Sequence, residues 1–469
     1  MCFQACDRGK EKRRYCMHEQ SFMPLFGAFG WLAIMLIVGV ILRAKIGFFQ
    51  KFLFPASIIG GLIGFILISA GWCNITHETF TLFAIHFFTI NFISIGLTGT
   101  DETAIKKGGS IPKSILRGMM WMACVYVAIF MFQGLIGGGI VWLTNLFMEP
   151  IYLGLGMLLP SGFAQGPGQA VALAAVWQNS FKIPDAISFG LTFAAVGFFI
   201  ASLVGVPLAN WGVRKGLTAN KTKDLPKEFL VGLSNEGKGA SAGKLTTHSG
   251  NIDGLAFQLA IVLVIYFLTY YECLFLKSIL PKAIKALAFG LMFLWGMFTA
   301  VLVRWILGKL GLTKYIDNNV QRRVTGVSVD FMIVATLMAV EVAAIWANIV
   351  PIVLMCIVGG LFTFFFILYF GRRLDEFGFE RMIAIFGTAT GTAASGLLLL
   401  RIVDPEFKSP AAAEVGLMNT FALILLPLSF VFYPLPTMGV HIGFIGLAVY
   451  AVAMLILLKV LGFWKKKLW

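Results

Sequence analysis

Charge is scarce in this chain. Of its 469 residues only 13% are Asp, Glu, Lys or Arg, whereas 59% are apolar and the mean hydropathy is +0.87. Soluble domains carry about 25% charge and roughly 45–50% apolar residues, so a water-soluble enzyme or binding module is excluded. Histidine is scarcer, with five residues, and His86 and His441 stand isolated. No nucleophile–base pair for a membrane hydrolase emerges, and no enzyme is expected. The seven cysteines are odd in number and lack CxxC spacing, which gives neither a disulfide framework nor a zinc site. Alternating apolar–polar strands are missing too, which argues against a β-barrel. Two motifs fail on inspection. Gly232–Lys238 resembles a phosphate-binding loop, but Gly239 stands where Ser or Thr is required. His77-Glu78 begins a metalloprotease-like pattern that Thr81 breaks. No cofactor is expected.

What the chain does have is long apolar runs. A spanning helix needs roughly 20 apolar residues. Runs of that kind occupy 24–42, 50–70, 80–98, 116–146 and 185–213, then 255–276, 284–308, 325–346, 349–371, 411–433 and 440–463. Lipid is therefore the solvent, and the expected fold class is an all-α polytopic membrane protein in the cell (inner) membrane. The net charge of +15 sits in short loops beside these runs, as cytoplasmic loops require, and does not indicate a nucleic-acid partner. Residues 1–23 form a polar amino-terminal segment, 24–213 a first transmembrane unit, 214–254 a flexible cytoplasmic linker, 255–435 a second unit, and 436–469 an apolar segment with a basic tail. The linker and the loop 99–115 read as cytoplasmic, and 71–79 and 145–150 as external. A cytoplasmic carboxyl end requires 411–463 to cross twice, with Pro434 and Pro436 at the turn. One long broken helix is the competing reading.

Two stretches, 150–179 and 382–400, are too interrupted to be plain spans. The first reads Pro160-Ser161-Gly162-Phe163-Ala164-Gln165-Gly166-Pro167-Gly168-Gln169. Such backbone survives at membrane depth only inside protein or beside a water-filled cavity. A re-entrant hairpin satisfies this: 150–160 runs in, 161–168 turns and 169–178 runs out, starting a half-helix whose amino end attracts carboxylates. The second reads Phe386-Gly387-Thr388-Ala389-Thr390-Gly391-Thr392-Ala393-Ala394-Ser395-Gly396. Its hydroxyls suit sodium, and the alternation of Thr388, Thr390 and Thr392 points to an extended turn. Interrupted segments at corresponding places in two halves point to a transporter built as an inverted repeat.

Two helix faces are placed to support these turns. Asn91, Ser94 and Thr98 share one helical stripe, and Asp330 and Glu341 share another face. An acid inside a span is a functional hypothesis by default. Asp330 is read either as a partner for a substrate ammonium or cation, or as an ion pair with Arg322 or Arg323. Glu341 is read as solvated, and Arg401 with Asp404 as a local ion pair.

These features together resemble the bacterial sodium/glutamate symporters over about residues 50 to 435. The resemblance rests on Pro55 with Gly60-Gly61, on Ile95-Gly96-Leu97, on the turn after Pro160, on Val206-Pro207-Leu208-Ala209 and on Gly387 with Gly391-Thr392-Ala393. It implies an inverted repeat of five spans plus one hairpin per half, an elevator-like movement, homodimers, and sodium-driven uptake of glutamate. The turns Ala164–Gly168 and Gly391–Ser395 depart from the family's usual wording, and 440–463 lies outside its usual pattern. On this basis sodium is the expected coupling ion, held by Ser161, Thr388, Thr390 and Thr392. A glutamate-like carboxylate is expected at Gln165, Gly166, Gly168, Gln169, Asn91, Gly391, Thr392, Ser395 and Asp330. Membrane lipids and a second copy of the chain are the remaining expected partners. Proton-coupled transport of another organic anion, or an ion channel, are the alternatives.

Overall fold

The computed structural model describes residues 11–98, 113–219, 225–233, 243–248, 250–374, 376–421 and 431–464, and these are helical with short connections. In chain order the principal helices are α1 (Glu11–Lys45), α2 (Ala56–Ser69), α3 (His77–Leu97), α4 (Lys113–Thr144), α5 (Leu158–Phe163), α6 (Pro167–Phe181) and α7 (Ala186–Arg214). Then follow α8 (Gly254–Ile279), α9 (Met292–Lys309), α10 (Asn318–Met338), α11 (Ile349–Gly371), α12 (Gly378–Thr390), α13 (Ala393–Val403), α14 (Ala411–Phe421) and α15 (Val440–Val460). Among the described residues eight helices are long and apolar enough to cross a bilayer: α1, from Leu25 onward, with α3, α4, α7, α8, α9, α11 and α15.

The apolar runs and the helices differ in instructive places. The run 50–70 is not one helix: a short turn of helix at Gly47–Lys51 is followed by Leu53 at φ 51°, and α2 has only 14 residues. The run 325–346 is a helix that starts earlier, because Asp317 caps it by accepting from the Val320 N–H at 2.8 Å, and it ends at Met338 before a short helix at Val342–Ala347. The run 284–308 is helical in α9 only from Met292, after a 3₁₀ turn at Lys282–Ile284 and a short helix at Leu287–Gly290. At the amino end α1 already begins at Glu11, inside the stretch read as a polar segment. Part of the linker is ordered as well: the helix Lys227–Val231 offers its Phe229 carbonyl to the Arg43 guanidinium at 3.1 Å. A short helix at Leu435–Met438, after Pro434, and Gly439 at φ 92° separate α15 from what precedes it; residues 422–430 of the run 411–433 lie outside the described ones.

The helices pack in two groups. In one, α1 lies on α2, α2 on α10, α10 on α3, and α3 on α9, which also packs on α8. Backbones touch where α1 meets α2: a Cβ on Gly39 would collide with the Ala56 carbonyl, and one on Gly60 with that of Met35. Small residues allow this approach where lipid gives helices no hydrophobic reason to associate. Polar side chains fasten the crossing of α3 and α10, where the Ser94 hydroxyl donates to the Gln321 carbonyl at 2.6 Å. In the other group α4 is the centre, with α11, α14 and α15 packed around it and both hairpins against it. Trp121 and Trp177 are fully buried there. At the base of the second hairpin Arg381 of α12 and Glu414 of α14 form a buried ion pair, Nη2 to Oε1 at 2.6 Å and Nε to Oε2 at 2.7 Å.

Candidate functional site

Both interrupted stretches are helical hairpins, and their tips touch. In the first, a 3₁₀ turn at Leu153–Met157 leads into α5, the chain turns through Ala164–Gly166, and α6 leaves. The turn is tighter than 161–168. Gly166 takes φ 81°, a conformation that glycine alone adopts cheaply, and Pro167 presets the first residue of α6. In the second, α12 and α13 are joined by Gly391 and Thr392. A Cβ on Gly166 would come within 2.7 Å of the Thr392 methyl and 3.3 Å of the Gly391 carbonyl oxygen. The two tips are in van der Waals contact. Gln165, Gln169 and Thr392 are half-buried, whereas Gly166, Pro167, Gly168 and Gly391 between them are buried.

Each hairpin breaks a helix into two ends, and the chain closes only two of the four. The carboxyl end of α5 is closed: the N–H groups of Ala164 and Gln165 donate to the Pro160 carbonyl, and the Tyr126 hydroxyl of α4 donates to the Ala164 carbonyl at 2.7 Å. The amino end of α13 is closed by Thr392, whose hydroxyl oxygen accepts from the Ser395 N–H at 3.4 Å. The other two ends are open. No side chain caps α6, Pro167 has no N–H, and the N–H groups of Gly168 and Gln169 meet no acceptor among the described residues. At the end of α12 no backbone N–H caps the last turn, and among the described residues a side chain donates only to its Ala389 carbonyl, which leaves that of Thr390 open. Its Thr390 carbonyl lies against Gly197 of α7, where a Cβ would approach to 2.5 Å, and the Gly391 carbonyl faces Gly166. An open amino end carries a partial positive charge and an open carboxyl end a partial negative one. The turns 161–169 and 387–396 contain no ionisable side chain, so the charges within them are the partial ones of backbone, amide and hydroxyl groups.

The expected residues fall unevenly. Gln165, Gly166, Gly168, Gln169, Gly391 and Thr392 lie at or beside the joined tips, and Ser395 is tied to Thr392. Ser161 is buried in the middle of α5, a turn before the break. Thr388 and Thr390 are not in an extended turn. They belong to α12, where their hydroxyls donate back to the carbonyls of Ala384 at 2.8 Å and Phe386 at 2.7 Å. Each oxygen keeps lone pairs, but the site's extended residue is Thr392. Asn91 is buried on α3, its Oδ1 without a partner among the described residues, one turn from Phe88, whose ring fills the space a Cβ on Gly168 would need. Its stripe mates Ser94 and Thr98 are consumed in the α3–α10 crossing and in a bond to the Ser94 carbonyl. Asp330 is exposed on α10 beside Ser57, and forms no ion pair with Arg322 or Arg323 among the described residues. Arg401 and Asp404 are not paired either. The guanidinium stacks on Phe229 and Phe407, while the carboxylate accepts from the N–H groups of Lys408 and Ser409.

Sequence reasoning passed over the residues that hold the tips in place. Tyr126 fixes the first turn, and Gln133, fully buried on the same helix, donates through Nε2 to the Ala389 carbonyl at 3.2 Å and the Thr363 hydroxyl at 2.9 Å. Gln133 Oε1 has no partner among the described residues. A buried amide left half-satisfied costs about 1–3 kcal/mol. The signal was there: Gln133 is the only amide or charged side chain between residues 118 and 143.

No individual curated protein matches the chain. A family model described as sodium/glutamate symporter matches residues 27–374. The match starts earlier than the motif-based extent of 50–435 and stops before α12, so it takes in the first hairpin and not the second. It covers most of the chain, and it agrees with the eight helices that can cross a bilayer. The chain therefore belongs to the sodium/glutamate symporter family, as a multi-pass membrane transporter.

Proposed function

We propose that this transporter couples sodium to the uptake of glutamate or a closely related small carboxylate, and that both bind where the hairpin tips meet. One observation carries the reading. The two helix ends left open at that contact have opposite polarity, the amino end of α6 and the carboxyl end of α12. An anion suits the first and a cation the second, and each ligand strengthens the field that holds the other. A substrate carboxylate would take the N–H groups of Gly168 and Gln169, with the amides of Gln165 and Gln169 completing its hydrogen bonds. Sodium would take the carbonyls of Thr390 and Gly391 and the Thr392 hydroxyl, hard oxygen donors without formal charge. Proton coupling fits less well, because no side chain in either turn can take up a proton.

The packing supports an inverted repeat. If α2, α3, α4 and α7 correspond to α9, α10, α11 and α14, then the contact of α3 with α9 has its counterpart in α10 with α2, and that of α4 with α14 in α11 with α7. In this reading α1–α3 with α8–α10 are the static scaffold, and α4–α7 with α11–α14 the moving core. Homodimers follow from the resemblance. The test is uptake of labelled glutamate into proteoliposomes under an imposed sodium gradient, with a proton gradient in sodium-free buffer as control. Sodium-dependent accumulation supports the reading. Accumulation driven by protons alone, or glutamate-independent current, overturns it.

A further inference from the structure

A cavity of about 550 Å³ lies between the two groups, walled by α3, α6, α8 and the start of α9. Its chemistry is one-sided. Lys277, Lys282 and Lys285 line it together with His86, Asn179, Ser180, Tyr266 and Tyr270, and among the described residues no Asp or Glu does. Lys277 is held over the Phe289 ring with Nζ at 5.7 Å, and no acidic partner is found for any of the three among the described residues.

Two further features give this cavity a direction. The helix α8 runs from the linker at Gly254 to Ile279, so the lysines sit at the end opposite the linker with its basic cluster. With the linker cytoplasmic, they face outward, where basic residues are disfavoured in short loops. Three of them within 277–285 call for a role other than topology. The inner limit of the cavity is formed by Phe88 and Phe293, with ring centroids 4.8 Å apart and Phe92 packed on Phe293 at 4.9 Å. Phe88 is the ring that covers Gly168, at the open amino end of α6. Phe88, packed on Phe293, therefore stands between the cationic cavity and the open amino end of α6.

We propose that this cavity is an outer vestibule that gathers small carboxylate anions, with the Phe88–Phe293 pair as the barrier between it and the hairpin tips. The inference rests on the reading of the tips as the carboxylate site. Like charges in a low-dielectric chamber focus the field and raise the local anion concentration, by about 10-fold or more at low salt. The effect fades once ionic strength brings the Debye length to about 10 Å, near 0.1 M.

The experiment has two arms, one of which does not depend on transport. In the first, Ser180→Cys is introduced into the wall, and its reaction with an anionic and a cationic methanethiosulfonate is followed by mass spectrometry of the peptide bearing residue 180. The expected result is a preference of about 10-fold for the anionic reagent at low salt, abolished by Lys277→Gln/Lys282→Gln/Lys285→Gln and slowed by glutarate only when the lysines are present. Equal rates, or a preference that survives the triple substitution, overturn the vestibule. In the second arm the triple variant, shown folded by its thermal transition, is assayed for sodium-driven uptake. KM should rise about 3- to 10-fold at low salt and converge on the parent value at high salt, with Vmax little changed. An unchanged KM overturns the gathering role. Absence of uptake by the parent protein refutes the proposed function instead, and the labelling arm still decides the vestibule.

Discussion

The two hairpins make their tips by different means. The first breaks at a glycine with positive φ followed by a proline, and leaves the amino end of its outgoing helix uncapped. The second breaks at Gly391-Thr392 and caps its outgoing helix with its own hydroxyl, leaving the incoming helix open at the carboxyl end instead. One hairpin therefore offers donors and the other acceptors. A symmetric pair of uncapped amino ends would attract two anions and repel a cation. Under the proposed function this asymmetry suits a site that takes one ligand of each sign.

Substitutions can break this contrast or sharpen it. The largest effect is expected at Gly166, where valine would meet both a left-handed backbone and the Thr392 methyl. Uptake by Gly166→Val should fall at least about 100-fold, while membrane insertion persists because the eight long spans are untouched. Normal uptake would mean that the tips do not need to touch.

Next comes the base of the second hairpin. Removing one partner of the Arg381–Glu414 pair, as in Glu414→Ala, strands a buried charge and should cost about 3–5 kcal/mol, read as a lowered thermal transition in detergent. Arg381→Met with Glu414→Leu together should cost clearly less. A double variant as unstable as the single one would show that packing, not the stranded charge, sets the penalty.

Gln133→Leu removes the donor to Ala389 beside the open end of α12, and should weaken apparent sodium affinity by about 5- to 30-fold with a smaller change in substrate KM. Tyr126→Phe removes the donor to Ala164 and should do the reverse, raising substrate KM by about 2- to 10-fold with sodium affinity nearly unchanged. Equal shifts of both constants in both variants would erase the distinction between donor and acceptor hairpins. Sodium titration of uptake at fixed glutamate, and glutamate titration at fixed sodium, measure each.

Much of this was legible in the sequence, for physical reasons. Pro160, Gly166, Pro167 and Gly168 forbid a regular lipid-facing helix, so the first hairpin announces itself locally. The long apolar runs likewise fix most spans. The start of α10 was missed because its first two turns, Asn318–Arg323, are almost wholly polar, and hydropathy cannot distinguish them from a loop. The threonines of α12 misled because alternate hydroxyls suit a turn and a helix alike once each donates to the carbonyl four residues back. The meeting of Gly166 with Thr392 joins distant parts of the chain, and no local pattern encodes it. Nor could spacing reveal which helix ends are closed, since that depends on Tyr126 reaching another element.

Tyr126 and Gln133 sit on a single helix, and each grips a different hairpin. Whatever shifts α4 along the membrane normal must carry donors and acceptors by the same amount. The binding site would then travel as a sealed cartridge, not as two jaws that part. Spin labels on α5 and α12 would record one fixed separation throughout the cycle, while distances from α4 to the scaffold helices, α3 among them, would change.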